Sequence, residues 1–262
     1  MTIIIHPVGD GDLGIDILSL SGEEKRQRRD ESRRHLSELI DAGRAEAVAD
    51  ALLTTSAPGG IADSRFRRTP VSLILRALKD DGGIEGPVRL LLLGSETGME
   101  GSSSDKTSLI LKKAFDMKSV RGLLGERYGF DLIVESIQHG NLCEKECFEA
   151  LGQWMEDVAD DELIVVNGIS GATMMVLSAL GLVDQRGFDW RLAVAPGAGR
   201  RKAAFVDRSS YSVAPFYWLR SLGYLEEAEQ WVNSRDGGKI VIDAAHREMI
   251  TILKNYRTRP EV

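Results

Sequence analysis

Residues 162–183, ELIVVNGISGATMMVLSALGLV, decide the fold because they combine a strand, a tight turn and a helix. The aliphatic run 163–166 has the length and composition of a parallel strand that is covered on both faces. The turn 167–171 contains Asn, Ser and two glycines, and the helix that follows it is apolar on every side. Because a helix without a polar face is buried, this stretch predicts a βα unit in the protein interior.

The turn of this βα unit has the features of an anion-binding site. Unpaired backbone N–H groups and the positive end of the helix dipole meet at a helix N-terminus and favour phosphate there. Gly168 and Gly171 permit positive φ and leave the backbone open to a ligand. A side chain at Gly171 is therefore expected to block the ligand without disturbing the fold. A plain βα turn that uses glycine only for tightness explains the same spacing, and both interpretations stay open.

The rest of the chain alternates between predicted strands and helices. Further strands are predicted over residues 2–5, 88–93, 131–137, 190–195 and 203–206. Helices are predicted over 23–53, from Pro70 to 81–83, from about 104 to 124, and after Asn141. This order predicts an α/β fold, a Rossmann-like, doubly wound and mostly parallel sheet, with 88–93, 131–137 and 163–166 among its central strands.

The predicted organisation is a Rossmann-like domain over residues 1–214 and a small helical appendage over 215–262. Residues 15–85, approximately, form a helical insertion in that domain. Ligands of doubly wound sheets bind outside the carboxyl ends of the strands. The loops 8–14, 94–106 and 167–173 follow predicted strands and are rich in Gly, Ser, Thr or Asp, so they are the predicted binding loops.

Composition excludes several function classes. The 262 residues are 43% hydrophobic, which suits one large domain with an appendage. A formal net charge of -7 gives no support for non-specific nucleic-acid binding, so DNA is not an expected partner. Cys143 and Cys147 stand four apart on a predicted helix, without the further ligands of a zinc site, and neither a metal nor a cofactor is expected. No signal peptide or membrane span is predicted, so a cytoplasmic protein is expected.

Two short motifs resemble known nucleotide-binding fingerprints without matching them. Residues 9–14 fit G-x-G-x-x-G, but the dinucleotide fingerprint needs a βαβ unit of roughly 30 residues. The charged run SGEEKRQRRDESRR at 21–34 follows instead, and its charges are interpreted as the solvated face of a helix. Lys106 and Thr107 invite comparison with a P-loop, but Glu100 stands where that motif requires its first glycine.

Several of these stretches together resemble the CARF domain, the CRISPR-associated Rossmann fold. The resemblance rests on LLLLGSETG at 90–98, SSSDKT at 102–107, DLIVESI at 131–137 and, most closely, VVNGISGATMM at 165–175. The last is similar to the strand-turn-helix signature of the family, with one glycine of its Gly-Gly-Thr-like turn replaced. The resemblance covers about residues 1–210, with a larger insertion at 12–85 than the family pattern leads one to expect.

The resemblance implies a two-fold homodimer that binds a cyclic oligoadenylate, the second messenger of type III CRISPR antiviral defence. The ring would lie across the dimer axis, over the carboxyl-end loops. The implied ligand contacts are Gly9, Asp10, Ser95, Thr97, Lys106, Thr107, Asn167, Gly168, Ser170, Gly171 and Thr173, with Arg200 and Arg201 added from their basic loop. An acidic protein needs such local donors to hold a polyanion.

Some members of the family cut the messenger as metal-independent ring nucleases. In that reaction a ribose 2′-hydroxyl attacks the adjacent phosphate, and the protein supplies orientation and charge stabilisation. Lys106 would stabilise the developing charge, and Ser170 or Ser95 would position the phosphate. His6 would serve as acid or base, or else it is a hydrogen-bonded core histidine.

Three further functions stay open from the sequence. A sensor would bind the ring without cutting it and signal through its C-terminal helices. A Rossmann-like enzyme would use the same loops on a mononucleotide. A transcription regulator would use the C-terminal segment on DNA, although that segment has few basic residues on one face. The C-terminal segment lacks the Arg-to-His spacing of HEPN ribonucleases, since no Arg stands at that distance before His246.

Overall fold

The structure is a computed structural model in which the chain divides into two compact units, Met1–Asp207 and Arg208–Val262. Of the second unit only Arg208 is described, so the predicted helical appendage lies outside the described residues. The described residues are 1–13, 22–53, 69–82, 86–95, 105–139, 144–171, 173–195 and 203–208. All elements below belong to the first unit.

A six-stranded sheet forms the centre of this unit. Its strands are β1 (Thr2–Pro7), β2 (Val88–Ser95), β3 (Leu132–His139), β4 (Leu163–Asn167), β5 (Asp189–Val194) and β6 (Ala204–Asp207). They lie in the order β3-β2-β1-β4-β5-β6, and only β6 is antiparallel to its neighbour. The α/β, mostly parallel Rossmann-like fold predicted from the sequence is therefore confirmed.

The strand order reverses between β1 and β4, because β1 leads outward to β2 on one side and pairs with β4 on the other. Such a reversal leaves a crevice at the carboxyl ends of the two strands. The prediction that residues 131–137 form a central strand is wrong, since β3 is an edge strand. Polar Glu135 and Ser136 fit that edge position, and Ile133 is 43% exposed.

Seven helices cover the sheet in the part of the chain that the structure describes. They are α1 (Gly22–Asp41), α2 (Ala45–Leu53), α3 (Pro70–Asp81), α4 (Asp105–Asp116), α5 (Lys118–Tyr128), α6 (Glu144–Trp154) and α7 (Thr173–Gln185). Alternate residues of β1 point to opposite faces of the sheet. Ile4 joins the core beneath α1–α5, whereas Ile3 and Ile5 join the core beneath α6 and α7.

Two predicted helices are each broken into a pair. The helix expected over 23–53 ends at Asp41, where Gly43 adopts a left-handed φ of 65° that stops the helical path. The helix expected from about 104 to 124 ends at Asp116, because Met117 is extended and α5 then runs to Tyr128. After each break the second helix packs against the first and buries its own apolar side, including Val48 of α2.

The start of α3 is fixed next to the carboxyl edge of the sheet. Thr69 is its N-cap, with Oγ1 accepting from the Ser72 N–H at 3.3 Å and donating to Leu52 O at 2.5 Å. Pro70 occupies the first helical position, as the sequence predicts. A Cβ at Gly11 would lie 3.5 Å from Pro70 Cγ, so α3 begins beside the loop that follows β1.

Candidate functional site

Two loops meet at the point where the strand order reverses. After β1 the chain continues into a 3₁₀ turn, Asp10–Leu13, and after β4 it passes through Gly171 into α7. A Cβ on Gly9 would lie only 2.8 Å from the Gly171 nitrogen. A Cβ on Gly171 would lie 2.6 Å from Pro7 O, and Gly171 has a φ of 89°. The main chains of the loops therefore touch, which only glycine at both positions permits.

This contact corrects the expectation that a side chain at Gly171 would leave the fold undisturbed. Any Cβ there collides with the backbone of Pro7 before it reaches a ligand. The glycine is required by loop-to-loop packing and by its left-handed backbone. A Cβ at Gly9 would cover the Gly171 nitrogen. Glycine at position 9 therefore also leaves this nitrogen open to a ligand.

The Asn167 side chain, which is fully buried, organises the turn after β4. Its Oδ1 accepts the Ile169 N–H at 2.8 Å, and this bond fixes which end of the amide carries the nitrogen. Nδ2 then donates to Ser170 Oγ at 2.7 Å and to His6 Nδ1 at 3.0 Å. One side chain therefore ties the turn to itself and to β1.

The orientation of Asn167 also settles the tautomer of His6. Nδ1 accepts a hydrogen bond, so the ring proton is on Nε2, which donates to Asp12 Oδ1 at 2.8 Å. Both ring nitrogens are used, and His6 is fully buried. This arrangement is that of a hydrogen-bonded core histidine, one of the two interpretations left open by the sequence.

Asp12 is a buried carboxylate at the end of this chain of hydrogen bonds. Besides His6, its Oδ2 accepts from the Gly9 N–H at 2.9 Å and from Ser170 Oγ at 3.3 Å. A buried charge needs several such donors, and here they come from both loops. The Asp12–His6–Asn167–Ser170 network thus holds the two loops in one fixed arrangement.

The remaining backbone donors of the turn are limited to two. The Gly168 N–H continues the ladder to Ala193 O at 2.9 Å, and the Ile169 N–H is held by Asn167. For the N–H groups of Ser170 and Gly171, no protein acceptor is found among the described residues. These two donors precede α7, where the helix dipole also favours an anion.

A second set of polar side chains lies at the carboxyl ends of β2 and β3. Ser95 and His139, both buried, are register partners at the last positions of these strands. The first turn of α4 is bonded to β3 one residue earlier, since Gln138 Nε2 donates to Ser108 Oγ. Thr107, also buried, accepts from Arg33 Nε at 2.9 Å.

Arg33 and its neighbour Arg29 are residues that sequence reasoning missed. The charges of α1 were expected to face solvent, but Arg29 is 6% exposed and the Arg33 side chain 11%, so that expectation is wrong for both. A signal for them exists in the spacing. Arg29 and Arg33 stand seven and three residues before buried Leu36, on the same face of the helix.

The other predicted site residues fall into two groups. Lys106 is exposed at the second position of α4. For Asp10 and Thr173 the backbone is described, at the starts of the 3₁₀ turn and of α7, but the side chains are not. Thr97, Arg200 and Arg201 lie outside the described residues, as does Cys143, whereas Cys147 is buried against Leu93 and Met175.

Comparison with known proteins assigns no family to this chain, so the proposed function rests on the geometry of the site. No protein-family model matches the chain, and no curated protein is significantly similar to it in sequence. Within the described ranges, no cluster of three His, Cys, Asp or Glu side chains is arranged to hold a metal ion. None of the helices in those ranges has the length and apolar character needed to span a membrane.

Proposed function

We propose that this protein is a cytoplasmic, CARF-like sensor that binds a cyclic oligoadenylate at the carboxyl edge of its sheet. The observation that carries the proposal is the meeting of the Gly9 and Gly171 loops, with the Ser170 and Gly171 N–H groups at the start of α7. The resemblance of residues 165–175 to the CARF signature supplies the class of ligand. In this proposal the protein acts in type III CRISPR antiviral signalling.

The topology supports a nucleotide-type ligand at this place. In open α/β sheets, ligands bind where the strand order reverses, outside the carboxyl ends of the strands. Here the order β3-β2-β1-β4-β5-β6 puts that reversal between β1 and β4. The two loops at the reversal are the ones with glycine at their contact and backbone donors beside it.

Rigidity of the loops supports recognition of a phosphate by backbone groups. Backbone N–H groups bind an anion well when they are already oriented before it arrives. The buried side chains of Asn167, His6 and Asp12 supply that orientation. Asn167 therefore acts as a positioning residue rather than as a group that touches the ligand.

Local charge supports the same ligand class. The chain has a net charge of -7, so a polyanion is not attracted by the molecule as a whole. Lys106 is exposed at the first turn of α4, and Arg33 of α1 bonds to Thr107 in the same turn, so both supply positive charge at the carboxyl edge of the sheet. This local positive charge attracts a phosphate-bearing ligand, although the net charge of the chain does not.

We propose that the protein binds the cyclic oligoadenylate. The experiment described below also tests whether the protein cleaves it. Ser95 is 1% exposed, and the Ser170 hydroxyl is engaged with Asn167 and Asp12. Both serines are therefore better suited to holding the loops than to contacting a reacting phosphate. If the ring is cut, exposed Lys106 is the residue that would stabilise the developing charge.

The test is calorimetric titration of the full chain with cyclic tetra-adenylate, cyclic hexa-adenylate and AMP, followed by chromatography of each incubated ligand. The proposal expects one ring to bind at least tenfold more tightly than AMP, a difference of about 1.4 kcal/mol. Linear products after incubation would show that the protein also cleaves the ring. Tighter binding of AMP than of either ring would overturn the proposal in favour of a mononucleotide enzyme.

A further inference from the structure

The hydrogen-bond network that joins the two loops carries one negative charge. Asp12 Oδ1 accepts from His6 Nε2–H at 2.8 Å, and Asp12 Oδ2 accepts from the Gly9 N–H and the Ser170 hydroxyl. Each of these partners donates to Asp12, which is the pattern of an ionised carboxylate. His6 is neutral, because its Nδ1 accepts from Asn167. Within the described residues, the charge of Asp12 is therefore held by neutral donors alone.

This charge lies close to the two open backbone donors of the turn. Ser170 Oγ is 3.3 Å from Asp12 Oδ2, so the Ser170 nitrogen lies within about 7 Å of the carboxylate. The Gly9 nitrogen is 2.9 Å from the same oxygen, and a Cβ on Gly9 would lie 2.8 Å from the Gly171 nitrogen. The Gly171 nitrogen is therefore within about 9 Å of the carboxylate. Because the Asp12 side chain is 1% exposed, water and salt screen its charge little.

The repulsion between Asp12 and a bound phosphate depends on the charge of the ligand. A phosphomonoester is close to a dianion at pH 8, whereas a phosphodiester is a monoanion, so Asp12 repels the monoester about twice as strongly. One extra charge at about 7 Å changes affinity by roughly 3- to 50-fold, for effective dielectric constants from about 80 down to about 20. Lys106 attracts both kinds of ligand, but it is exposed, so its charge is screened more than that of Asp12.

The number of donors favours the same kind of ligand as the charge does. The described part of the turn offers the N–H groups of Ser170 and Gly171 to a ligand. A phosphodiester presents two non-bridging oxygens, whereas a phosphomonoester presents three terminal oxygens. These two donors therefore match a diester, and they leave one oxygen of a monoester without a hydrogen bond from this part of the turn.

We infer that Asp12 is a specificity-determining residue of this site, which favours phosphodiesters and disfavours phosphomonoesters. The inference rests on the proposed function, since it concerns the same phosphate-binding loops. All phosphates of a cyclic oligoadenylate are diesters, whereas AMP and linear oligonucleotides with a terminal phosphate carry the disfavoured group. The charge of each phosphate thus adds to the preference for a ring over AMP.

The test compares three adenosine ligands that differ only at the phosphate, all titrated by calorimetry into the full-length protein at pH 8. AMP is mainly a dianion at this pH, since the second pKa of a phosphomonoester is about 6. The methyl ester of AMP and adenosine 5′-fluorophosphate are both monoanions. The fluorophosphate has no methyl group, so a preference shared by the two monoanions reports charge and not an apolar contact. Cyclic tetra-adenylate and cyclic hexa-adenylate are titrated under the same conditions.

Two variants assign the preference to Asp12. Asp12→Asn removes the charge and keeps the size of the side chain. Asp80→Asn makes the same change at a position of α3 whose side chain is 62% exposed, and it is the matched control. A melting curve of each variant shows whether the protein is folded in the titrations.

The expected result is that wild type binds both monoanions roughly 3- to 50-fold more tightly than AMP. Asp12→Asn lowers this ratio by at least about threefold, because the extra repulsion of the dianion is lost. Asp80→Asn keeps the ratio of wild type. If Asp12→Asn does not fold, the ratio in wild type decides.

Other results overturn the inference or separate it from the proposed function. If a ring binds wild type but AMP binds as tightly as both monoanions, the inference is wrong and the proposed function stands. The inference is also wrong if only the methyl ester is preferred, or if folded Asp12→Asn keeps the ratio of wild type. If no ring binds but both monoanions are preferred and Asp12→Asn removes the preference, the inference stands and the proposed function is wrong. If none of the ligands binds wild type, both are wrong.

Discussion

Gly171 carries two separate constraints, a left-handed backbone and a contact with Pro7, and each has its own energetic effect. A Cβ in the left-handed region costs roughly 1–2 kcal/mol, and forcing atoms into a packed site costs about 1–3 kcal/mol more. Gly187 shares the first constraint, with a φ of 83°, but a Cβ there would meet nothing within 4 Å. We predict that Gly171→Ala lowers the free energy of unfolding by clearly more than Gly187→Ala does, measured by urea denaturation.

The comparison of these two variants isolates the loop contact. If both alanine variants lose the same stability, the close approach of Gly171 to Pro7 is not a feature of the folded protein. A larger loss at Gly171 would show that the β1 and β4 loops are packed against one another.

Asn167 is the residue on which the hydrogen-bond network depends. Asn167→Asp replaces the Nδ2 donor with an acceptor that faces His6 Nδ1 and Ser170 Oγ, and it adds a charge near Asp12. We predict a loss of about 3 kcal/mol or more in the free energy of unfolding, because an unpaired charge is left in a buried position. Gln153→Glu, the same amide-to-acid change at an exposed position, is the control and should stay within about 0.5 kcal/mol.

At the residue scale, the sequence predicts the composition of the turn but not what its side chains do. Asn167 and Ser170 follow a strand, which suggests ligand contacts. Only the structure shows that Asn167 bonds inward to His6, which is 161 positions away. Such long-range pairing depends on which strands become neighbours. The local spacing of residues contains no information about which strands become neighbours.

At the element scale, one ion pair connects β2, β3 and α6. Arg89 Nε donates to Glu135 Oε1 at 2.6 Å, and Arg89 Nη2 donates to Glu135 Oε2 at 3.1 Å. Trp154 Nε1 donates to the same carboxylate at 2.7 Å, and the guanidinium lies 4.4 Å from the centre of its ring. The hydrogen bond from Arg89, opposed by partial burial and helped by Trp154, lowers the pKa of Glu135 below its ordinary value of 4.5.

This lowered pKa predicts a pH dependence of stability with a definite sign. The folded state holds the Glu135 proton less tightly than the unfolded state, so the ion pair contributes fully above pH 4.5. Its contribution falls as the pH drops below that value through the lower pKa of the folded state. We predict that Glu135→Gln is less stable than wild type at pH 7, by under about 1 kcal/mol because the pair is partly exposed. The difference should shrink by pH 3, as measured by urea denaturation across this range.

A suitable control is Glu126→Gln, which changes an exposed glutamate of α5. A stability difference between Glu135→Gln and wild type that is constant from pH 7 to pH 3 would contradict the assignment of the ion pair. It would mean that Glu135 is not held by Arg89 in the folded protein.

The elements themselves were largely predictable because their signals are local. Continuous aliphatic runs marked β1, β2 and β4, and Pro70 marked the start of α3. The break at Met117 was not predictable, since Ala114, Met117 and Leu124 keep an apolar helical spacing across it. The edge position of β3 was missed because strand order is set by crossovers, and the polar Glu135 and Ser136 were weak local signs of it.

At the scale of the whole molecule, the proposed ligand has consequences for assembly. A cyclic, symmetric ring is bound most simply on a two-fold axis, where two copies present the same loops. We predict a homodimer, with a mass in solution of about twice 28.8 kDa by light scattering at micromolar concentration. A monomeric mass both with and without cyclic oligoadenylate would contradict the sensor proposal.

The net charge and the fold class could be predicted from the sequence, and the composition of the loops suggested where a ligand binds. The packing of α1 could not be predicted in this way. Its run of charges suggested solvent, whereas the structure brings α1 against α4 and buries Arg33 beside Thr107, 74 positions away. The position of Arg33 thus depends on tertiary packing.

We expect the loops after β1 and β4 to form the binding site, and backbone hydrogen exchange tests this expectation. Exchange is followed by mass spectrometry with and without saturating cyclic tetra-adenylate or hexa-adenylate, and α5 serves as an internal reference. We predict slowed exchange in peptides that cover residues 7–13 and 167–171, with little change in α5. A bound ring that leaves both of these loops unprotected, or that protects only other segments, would contradict it.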